Sequence, residues 1–383
     1  MQQFLNFLLQ QRKQDNLYRV RQTHSSIQSP ILSINGQTYL SFSSNDYLGL
    51  ASDNRLKIAW QDGAEKYGIG SGASHLITGH TLAHETLEQE LALYTKRERT
   101  LLFSTGYMAN IGVITALLGR HDAIFLDRLN HASLVDAAKL SSAKMYRYSD
   151  MQTLDHLLTK STANHKLIIT DGVFSMDGKI ANLPKIVELA KAYNAWVMVD
   201  DAHGLGVIGE TGRGTVELYN FGITEVPILM GTLGKAFGVF GAFIAGSELL
   251  IETLIQSARS YIYTTALPPA LIESVRKSLV IVTEENWRRQ QLQELITYFR
   301  EQATCLPLME SCTPIQPIIL GDSITALTVS KELYKQGIIV TAIRPPTVPK
   351  GTARLRITLS TLHTKKQIDR LITALIKIVP KRL

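Results

Sequence analysis

The chain has 383 residues, of which 45% are hydrophobic and 19% charged. That is enough for two or three domains around a large core, and too apolar for wholesale disorder. The formal net charge of +7 comes from scattered basic residues with no run of five or more. This excludes a nucleic-acid-binding signature and leaves a solvated basic surface, or attraction to an acidic substrate or carrier. The two cysteines, Cys305 and Cys312, form no CxxC pair, so no zinc site or disulfide framework is expected. Two reducible thiols suit a cytoplasmic protein.

The N-terminal residues Met1 to Gln10 lack a basic segment, and Gln and Asn interrupt their apolar positions, unlike a secretory signal. No run approaches the ~20 apolar residues that span a bilayer, so no membrane association is expected. Phe4, Leu5, Leu8 and Leu9 fall on one side of an amphipathic helix over the first ~20 residues. A strand follows near Thr38–Phe42. From about residue 100, short apolar strands alternate with helix-length segments: Thr100–Phe103, Ala123–Leu126, Leu167–Thr170, Ala195–Val199, Pro227–Met230 and Ala242–Ala245. Their continuous apolar character predicts strands covered on both faces, in a mostly parallel α/β sheet.

Pro268-Pro269 ends the alternation, and a long helix is predicted over roughly Ala270–Ala303. Strands near Ile315–Leu320 and Arg354–Leu359, with helices over Thr325–Gln336 and Lys365–Ile378, complete the chain. The expected organisation is an N-terminal arm (1–50), a large α/β domain (51–275) and a small α+β domain (276–383).

Ligands of open parallel sheets bind beyond the carboxyl ends of the strands. Four clusters occupy such positions: Ser104-Thr105-Gly106-Tyr107, Asp171–Gly178, Asp200–His203 and Gly231–Lys235. The segment Gly204-Leu205-Gly206-Val207-Ile208-Gly209 matches a dinucleotide fingerprint, but that loop has to open directly into a helix. Here Glu210-Thr211-Gly212-Arg213-Gly214 follows, which is loop chemistry, and a nucleotide-binding protein is the lesser reading. Lys235 sits in a glycine-rich loop after a strand, where a lone lysine is ordinarily just solvated. Asp200 ends a strand, where a partly buried carboxylate needs a cationic partner such as a pyridinium nitrogen. The start of the helix after Ser104-Thr105-Gly106-Tyr107 offers free N–H groups to a phosphate. His131 and His203 each read equally well as ordinary loop or helix-start histidines.

Together these segments resemble the α-oxoamine synthase family of fold-type I pyridoxal-phosphate enzymes. The resemblance rests on Ser43-Ser44-Asn45-Asp46-Tyr47-Leu48-Gly49-Leu50, Gly70-Ser71-Gly72-Ala73-Ser74, Asp127-Arg128-Leu129-Asn130-His131-Ala132-Ser133 and Gly172-Val173-Phe174-Ser175-Met176-Asp177-Gly178. It extends through Val199-Asp200-Asp201-Ala202-His203-Gly204, Thr232-Leu233-Gly234-Lys235 and Arg344-Pro345-Pro346-Thr347-Val348-Pro349, in family order over nearly the whole chain.

The resemblance implies an aspartate-aminotransferase-like fold and a homodimer with pyridoxal 5'-phosphate bound. It implies Lys235 as the Schiff-base lysine, Asp200 beside the pyridine nitrogen, and His203 and Ser175 on the ring's oxygen side. His131 would stack on the ring, and Gly106, Tyr107 and Thr232 would hold the phosphate, with Thr264 or Thr265 reaching the neighbouring subunit's phosphate. Asn45 and Arg356 are implied at the amino-acid carboxylate, Arg19 and Thr347 at the acyl substrate. Alternation along Arg354-Leu355-Arg356 puts both arginines on one face, so strand geometry alone does not choose between them. The implied reaction is decarboxylative condensation of L-alanine with a pimeloyl thioester, on coenzyme A or an acyl carrier protein. A relative using glycine, serine or another acyl chain is the alternative.

Overall fold

The computed structural model describes residues 1–379. The chain forms two compact units. One contains Leu50–Ser175 and Ile180–Arg289; the other contains Met1–Gly49, Met176–Lys179 and the chain from Gln290 onward.

Strands β1 (Ile31–Ile34) and β2 (Gln37–Ser41) make an antiparallel hairpin. Seven strands follow: β3 (Arg99–Phe103), β4 (Ala123–Asp127), β5 (Lys144–Tyr148), β6 (Lys166–Asp171), β7 (Trp196–Asp200), β8 (Ile228–Thr232) and β9 (Ala242–Gly246). They form one sheet in the order β3-β9-β8-β7-β6-β4-β5, parallel except for β9, which runs antiparallel to both neighbours. Leu167, Ile168, Ile169, Val197, Met198 and Val199 are buried, as expected of central strands with helices on both faces.

The strand β5 was not predicted. Its sequence Lys-Met-Tyr-Arg-Tyr is mostly exposed because it lies at the sheet edge and pairs only with β4. An edge strand need not be apolar, and charges there discourage pairing with other chains.

In the other unit, β10 (Ile315–Gly321) and β12 (Thr341–Ile343) flank β13 (Ala353–Thr358) in an antiparallel sheet. The short β11 (Ile338–Ile339) pairs in parallel with β2, so sequence segments near both ends build this unit. Cys305 and Cys312 are free, exposed thiols.

Two predicted helices need correction. The N-terminal helix spans only Gln2–Gln14 and buries none of its residues; Asn16 turns left-handed at φ 55°. The long helix predicted over Ala270–Ala303 is two helices, Pro269–Glu284 and Asn286–Gln302. Between them Glu285 leaves helical geometry at φ −94°, ψ 64°. Its carboxylate accepts from Arg55 Nη1 at 2.5 Å and Arg288 Nε at 2.7 Å, and Arg55 also grips Asp53. The break coincides with this charge cluster, which periodicity does not report.

The helix Leu82–Thr95 is tied to β3 through Glu88. Its backbone carbonyl accepts from Thr100 Oγ1 at 2.7 Å, and its side-chain Oε1 accepts from Leu102 N at 2.9 Å. Burial pushes the Glu88 carboxyl up to about 8, partly opposed by the Leu102 hydrogen bond. Between the ordinary carboxylate range and that value, the folded state binds the extra proton. Stability contributed by this group therefore falls as pH rises through the window. Glu88→Gln keeps an acceptor for Leu102 and carries no charge. Its melting temperature relative to the parent should rise by a few degrees between pH 5 and pH 9 in thermal scans. Parallel curves would remove Glu88 from the pH response.

Candidate active site

The carboxyl ends of β3, β4, β6, β7 and β8 bring most of the predicted residues together within one unit. After β3, Thr105 caps the helix Gly106–Leu117, its hydroxyl accepting from Met108 N at 3.2 Å. The first N–H groups of a helix have no intrahelical partner, so Gly106 and Tyr107 present an anion-binding end. A side chain at Gly106 would put its Cβ 3.1 Å from Met230 Cε, so glycine keeps this backbone approachable. The Tyr107 ring is exposed, and its hydroxyl donates to Asp136.

Asp200 is the last residue of β7 and is 4% exposed. Asn110 Nδ2 donates to its Oδ2 at 2.8 Å and Ala202 N to its Oδ1 at 3.1 Å. The buried His203 follows, with Nε2 lying 2.8 Å from Lys235 Nζ. A protonated lysine can only donate, so His203 accepts when Lys235 is charged. Lys235 itself lies in the turn after β8, where Thr232 Oγ1 donates to Gly241 O at 3.1 Å. Ser175 is buried in the loop after β6.

His131 caps the helix Ala132–Leu140. Its backbone N–H donates to Asp171 Oδ2 at 2.9 Å. Solvent reaches part of the ring, yet surrounding protein is dense enough that desolvation lowers its pKa, against an opposing pull from Asp200. Asp171 is the buried partner of Asp200 in the β6–β7 register. Burial, then the Asp200 charge, pushes the Asp171 carboxyl well above the usual range. Residue-type reasoning missed Asn110 and gave Asp171, at the head of the Asp171–Gly178 cluster, no role of its own. The available signals were a lone asparagine in an otherwise apolar helix and a second acid at a strand end.

The glycines of the dinucleotide-like segment serve a different purpose. A Cβ on Gly204 would come within 2.1 Å of Asp201 Oδ1, and Asp201 is fully buried. Asp201 Oδ2 accepts from Thr215 N at 2.6 Å, tying the loop's two ends, and burial pushes its carboxyl up to about 7. The first helix after the segment is the four-residue Thr215–Leu218, too late for a phosphate loop. Thr264 Oγ1 donates to Ser260 O at 2.5 Å, and Thr265 is exposed.

The remaining predicted residues belong to the other unit. Arg356, on β13, is 7% exposed, and its Nη2 donates to Asn45 Oδ1 at 3.1 Å. Tyr47 donates to the same Asn45 oxygen at 3.2 Å. Burial raises the Tyr47 pKa, and the Arg356 charge partly offsets this. Arg354 has a different fate: it forms a buried ion pair with Asp177 and donates Nε to Thr352 O at 3.0 Å. Arg19 is exposed, and its charge, after desolvation, helps lower the pKa of Arg344. Thr347 is exposed in the turn whose N–H donates to Arg344 O at 3.1 Å.

A profile of aminotransferase class I and II matches residues 37–375. The 8-amino-7-oxononanoate synthase of Nitrosococcus oceani is 53% identical over 97% of this chain and 100% of its own length. That of Thioalkalivibrio sulfidiphilus is 54% identical over 96% and 95%. The chain belongs to the aminotransferase class I and II family, among its 8-amino-7-oxononanoate synthases. Solved members agree in fold. A serine palmitoyltransferase of S. paucimobilis, with PLP and myriocin bound, has a TM-score of 0.91 at 28% identity, covering 98% of this chain and 97% of that one. An 8-amino-7-oxononanoate synthase from Francisella tularensis has a TM-score of 0.78 at 35% identity, covering 88% and 97%.

The two neighbouring arginines should separate experimentally. Arg354→Ala leaves the buried Asp177 carboxylate unpaired and should cost about 3–5 kcal/mol in urea unfolding. A loss within about 0.5 kcal/mol would mean that the ion pair contributes nothing net.

Proposed function

We propose that this chain condenses L-alanine with a pimeloyl thioester, with loss of carbon dioxide, to give 8-amino-7-oxononanoate for biotin biosynthesis. The cofactor is pyridoxal 5'-phosphate. The observation that carries the reading is the Lys235–His203 contact of 2.8 Å in the unit that also buries Asp200 at a strand end. Relatives more than half identical over nearly the whole chain support it.

The residues fit the cofactor's chemistry. A buried carboxylate, Asp200, suits a protonated ring nitrogen; the helix start at Gly106 and Tyr107 suits a phosphate, to which Thr232, the last residue of β8, is assigned as a further hydroxyl; a primary amine, Lys235, suits the aldehyde carbon. His131 supplies a flat ring for stacking, and His203 with Ser175 supplies polar groups for the ring oxygen. The bound cofactor provides an electron sink for the charge left when a carbon loses its proton. Lys235, a primary amine, would take that α-proton as general base. His203 accepts from the ammonium so formed.

Arg356 is assigned the alanine carboxylate. A guanidinium grips a carboxylate with two parallel hydrogen bonds, where a lysine offers only a point charge. Asn45, already bonded to Arg356, sets the fork's direction. The ion pair to Asp177 commits Arg354 elsewhere. Arg19 and Thr347 are assigned the acyl substrate, and the positive charge of Arg19 and Arg344 suits the distal carboxylate of a pimeloyl chain. The +7 net charge suits either coenzyme A or an acidic carrier protein. We read the working form as a homodimer, with Thr264 or Thr265 toward the partner's phosphate.

The likeness to a serine palmitoyltransferase keeps serine and other acyl thioesters as the competing substrates. Products from alanine, glycine and serine against a panel of acyl thioesters decide this. Alanine with pimeloyl thioester should exceed glycine by roughly 10- to 200-fold in kcat/KM, the usual effect of one methyl group. Preference for serine would overturn the alanine assignment.

Lys235→Ala should abolish turnover and the visible absorbance of covalently held cofactor, and normal turnover would end the lysine assignment. Arg356→Ala should weaken alanine binding by roughly 10- to 150-fold, for a charged hydrogen bond of about 1.5–3 kcal/mol. Arg356→Lys should recover part of this. Alanine titrations followed in the cofactor spectrum check both; wild-type affinity would leave Arg356 a structural partner of Asn45.

A further inference from the structure

One buried hydrogen-bond chain links two residues that the functional reading treats separately. Asn110 is fully buried, and its Nδ2 donates to Asp200 Oδ2 at 2.8 Å and to Ser133 Oγ at 2.8 Å. Ser133 Oγ lies 2.7 Å from His131 Nδ1, and the Ser133 backbone N–H donates to that same nitrogen at 3.3 Å. The directions follow from counting hydrogens. Nδ1 accepts a backbone hydrogen, so it carries none. The Ser133 hydroxyl must then donate to it, and the hydroxyl oxygen accepts from Asn110. Neutral His131 therefore carries its proton on Nε2.

Flipping the Asn110 amide would set its oxygen against the Asp200 carboxylate, acceptor to acceptor, so the orientation is determined by its neighbours. In that orientation Asn110 Oδ1 is buried without a protein partner among the described residues. Buried amides are ordinarily satisfied at both atoms. This one forgoes its acceptor to place both donors.

We propose that Asn110 and Ser133 are positioning residues. A one-way relay from Asn110 through Ser133 holds His131 as the Nε2–H tautomer, while the second Asn110 hydrogen fixes the rotation of the Asp200 carboxylate. The inference rests on reading Asp200 and His131 as the groups at the cofactor ring. It makes His131 a hydrogen-bond donor at Nε2 and not a base. Asp171 completes the hold by accepting from the His131 backbone, and the charges that face the ring are Asp200, Lys235 and Asp136.

The test is ¹⁵N NMR of ring-labelled histidine in the full chain stripped of cofactor, with His131 assigned by comparison with His131→Gln. The parent should show one neutral Nε2–H form. Asn110→Asp replaces the donor facing Ser133 with an acceptor. The Ser133 hydroxyl then turns toward it, leaving only the Ser133 backbone N–H on Nδ1, and the Nδ1–H form of His131 should appear beside Nε2–H. Ser133→Ala removes one of the two donors to Nδ1 and should give a mixture of tautomers. It leaves the Asn110–Asp200 bond intact, so cofactor affinity should fall by less than about 3-fold, against roughly 10-fold or more for Asn110→Asp. If Asn110→Asp does not fold, Asn110→Ala with Ser133→Ala carries the test through the same spectra. An unchanged Nε2–H population in these folded variants would overturn the relay. A parent protein that takes up no pyridoxal phosphate would instead overturn the reading of the site and leave the tautomer result standing.

Discussion

The larger unit is organised around an electrostatic problem: two carboxylates side by side at the ends of adjacent buried strands. Asp171 and Asp200 are register partners on β6 and β7, both almost inaccessible. Charge in such a place is costly unless it is hydrogen-bonded or matched by a cation. Part of the solution is a weaker acid, because burial and then the Asp200 charge push the Asp171 carboxyl upward. The rest is a shell of donors: Asn110 and Ala202 to Asp200, and the His131 backbone to Asp171. A protonated pyridine nitrogen is the cation that such a carboxylate suits, and in the same unit Lys235 Nζ and His203 Nε2 lie 2.8 Å apart.

A second buried acid organises the loop that follows. Asp201 points away from the Asp200 chemistry and binds the start of the helix Thr215–Leu218. The crowding of Gly204 against it explains a glycine pattern that resembles nucleotide-binding sequence. The same residue type at the same spacing serves a carboxylate of the chain's own, where a dinucleotide loop would serve a phosphate.

The other unit solves a related problem differently. Two arginines two residues apart on β13 are both buried, and their partners divide the labour. Arg354 is neutralised by Asp177, a member of the four-residue piece of chain, Met176–Lys179, that folds with this unit. Arg356 is held by the neutral Asn45, itself bonded to Tyr47.

Much of this was legible in sequence because it depends on local pattern. Continuous apolar runs mark six of the sheet's seven strands, since a strand covered on both faces has no polar side. Lys235, Asp200 and His203 stand out because they follow such strands directly, where a parallel sheet exposes its loops. The helix Lys365–Ile378 has the bounds that its periodicity predicts. What only tertiary structure decided depends on partners distant in the chain. The edge strand β5 carries charges because one side of it is free. The charge partner of Glu285 at the helix break, Arg55, lies 230 residues away. The hydrogen bond of Asn110 depends on Asp200, 90 residues on, and the different partners of Arg354 and Arg356 lie 177 and 311 positions distant. Periodicity reports which face of an element is buried; which group waits on the other side is set only when the chain closes on itself.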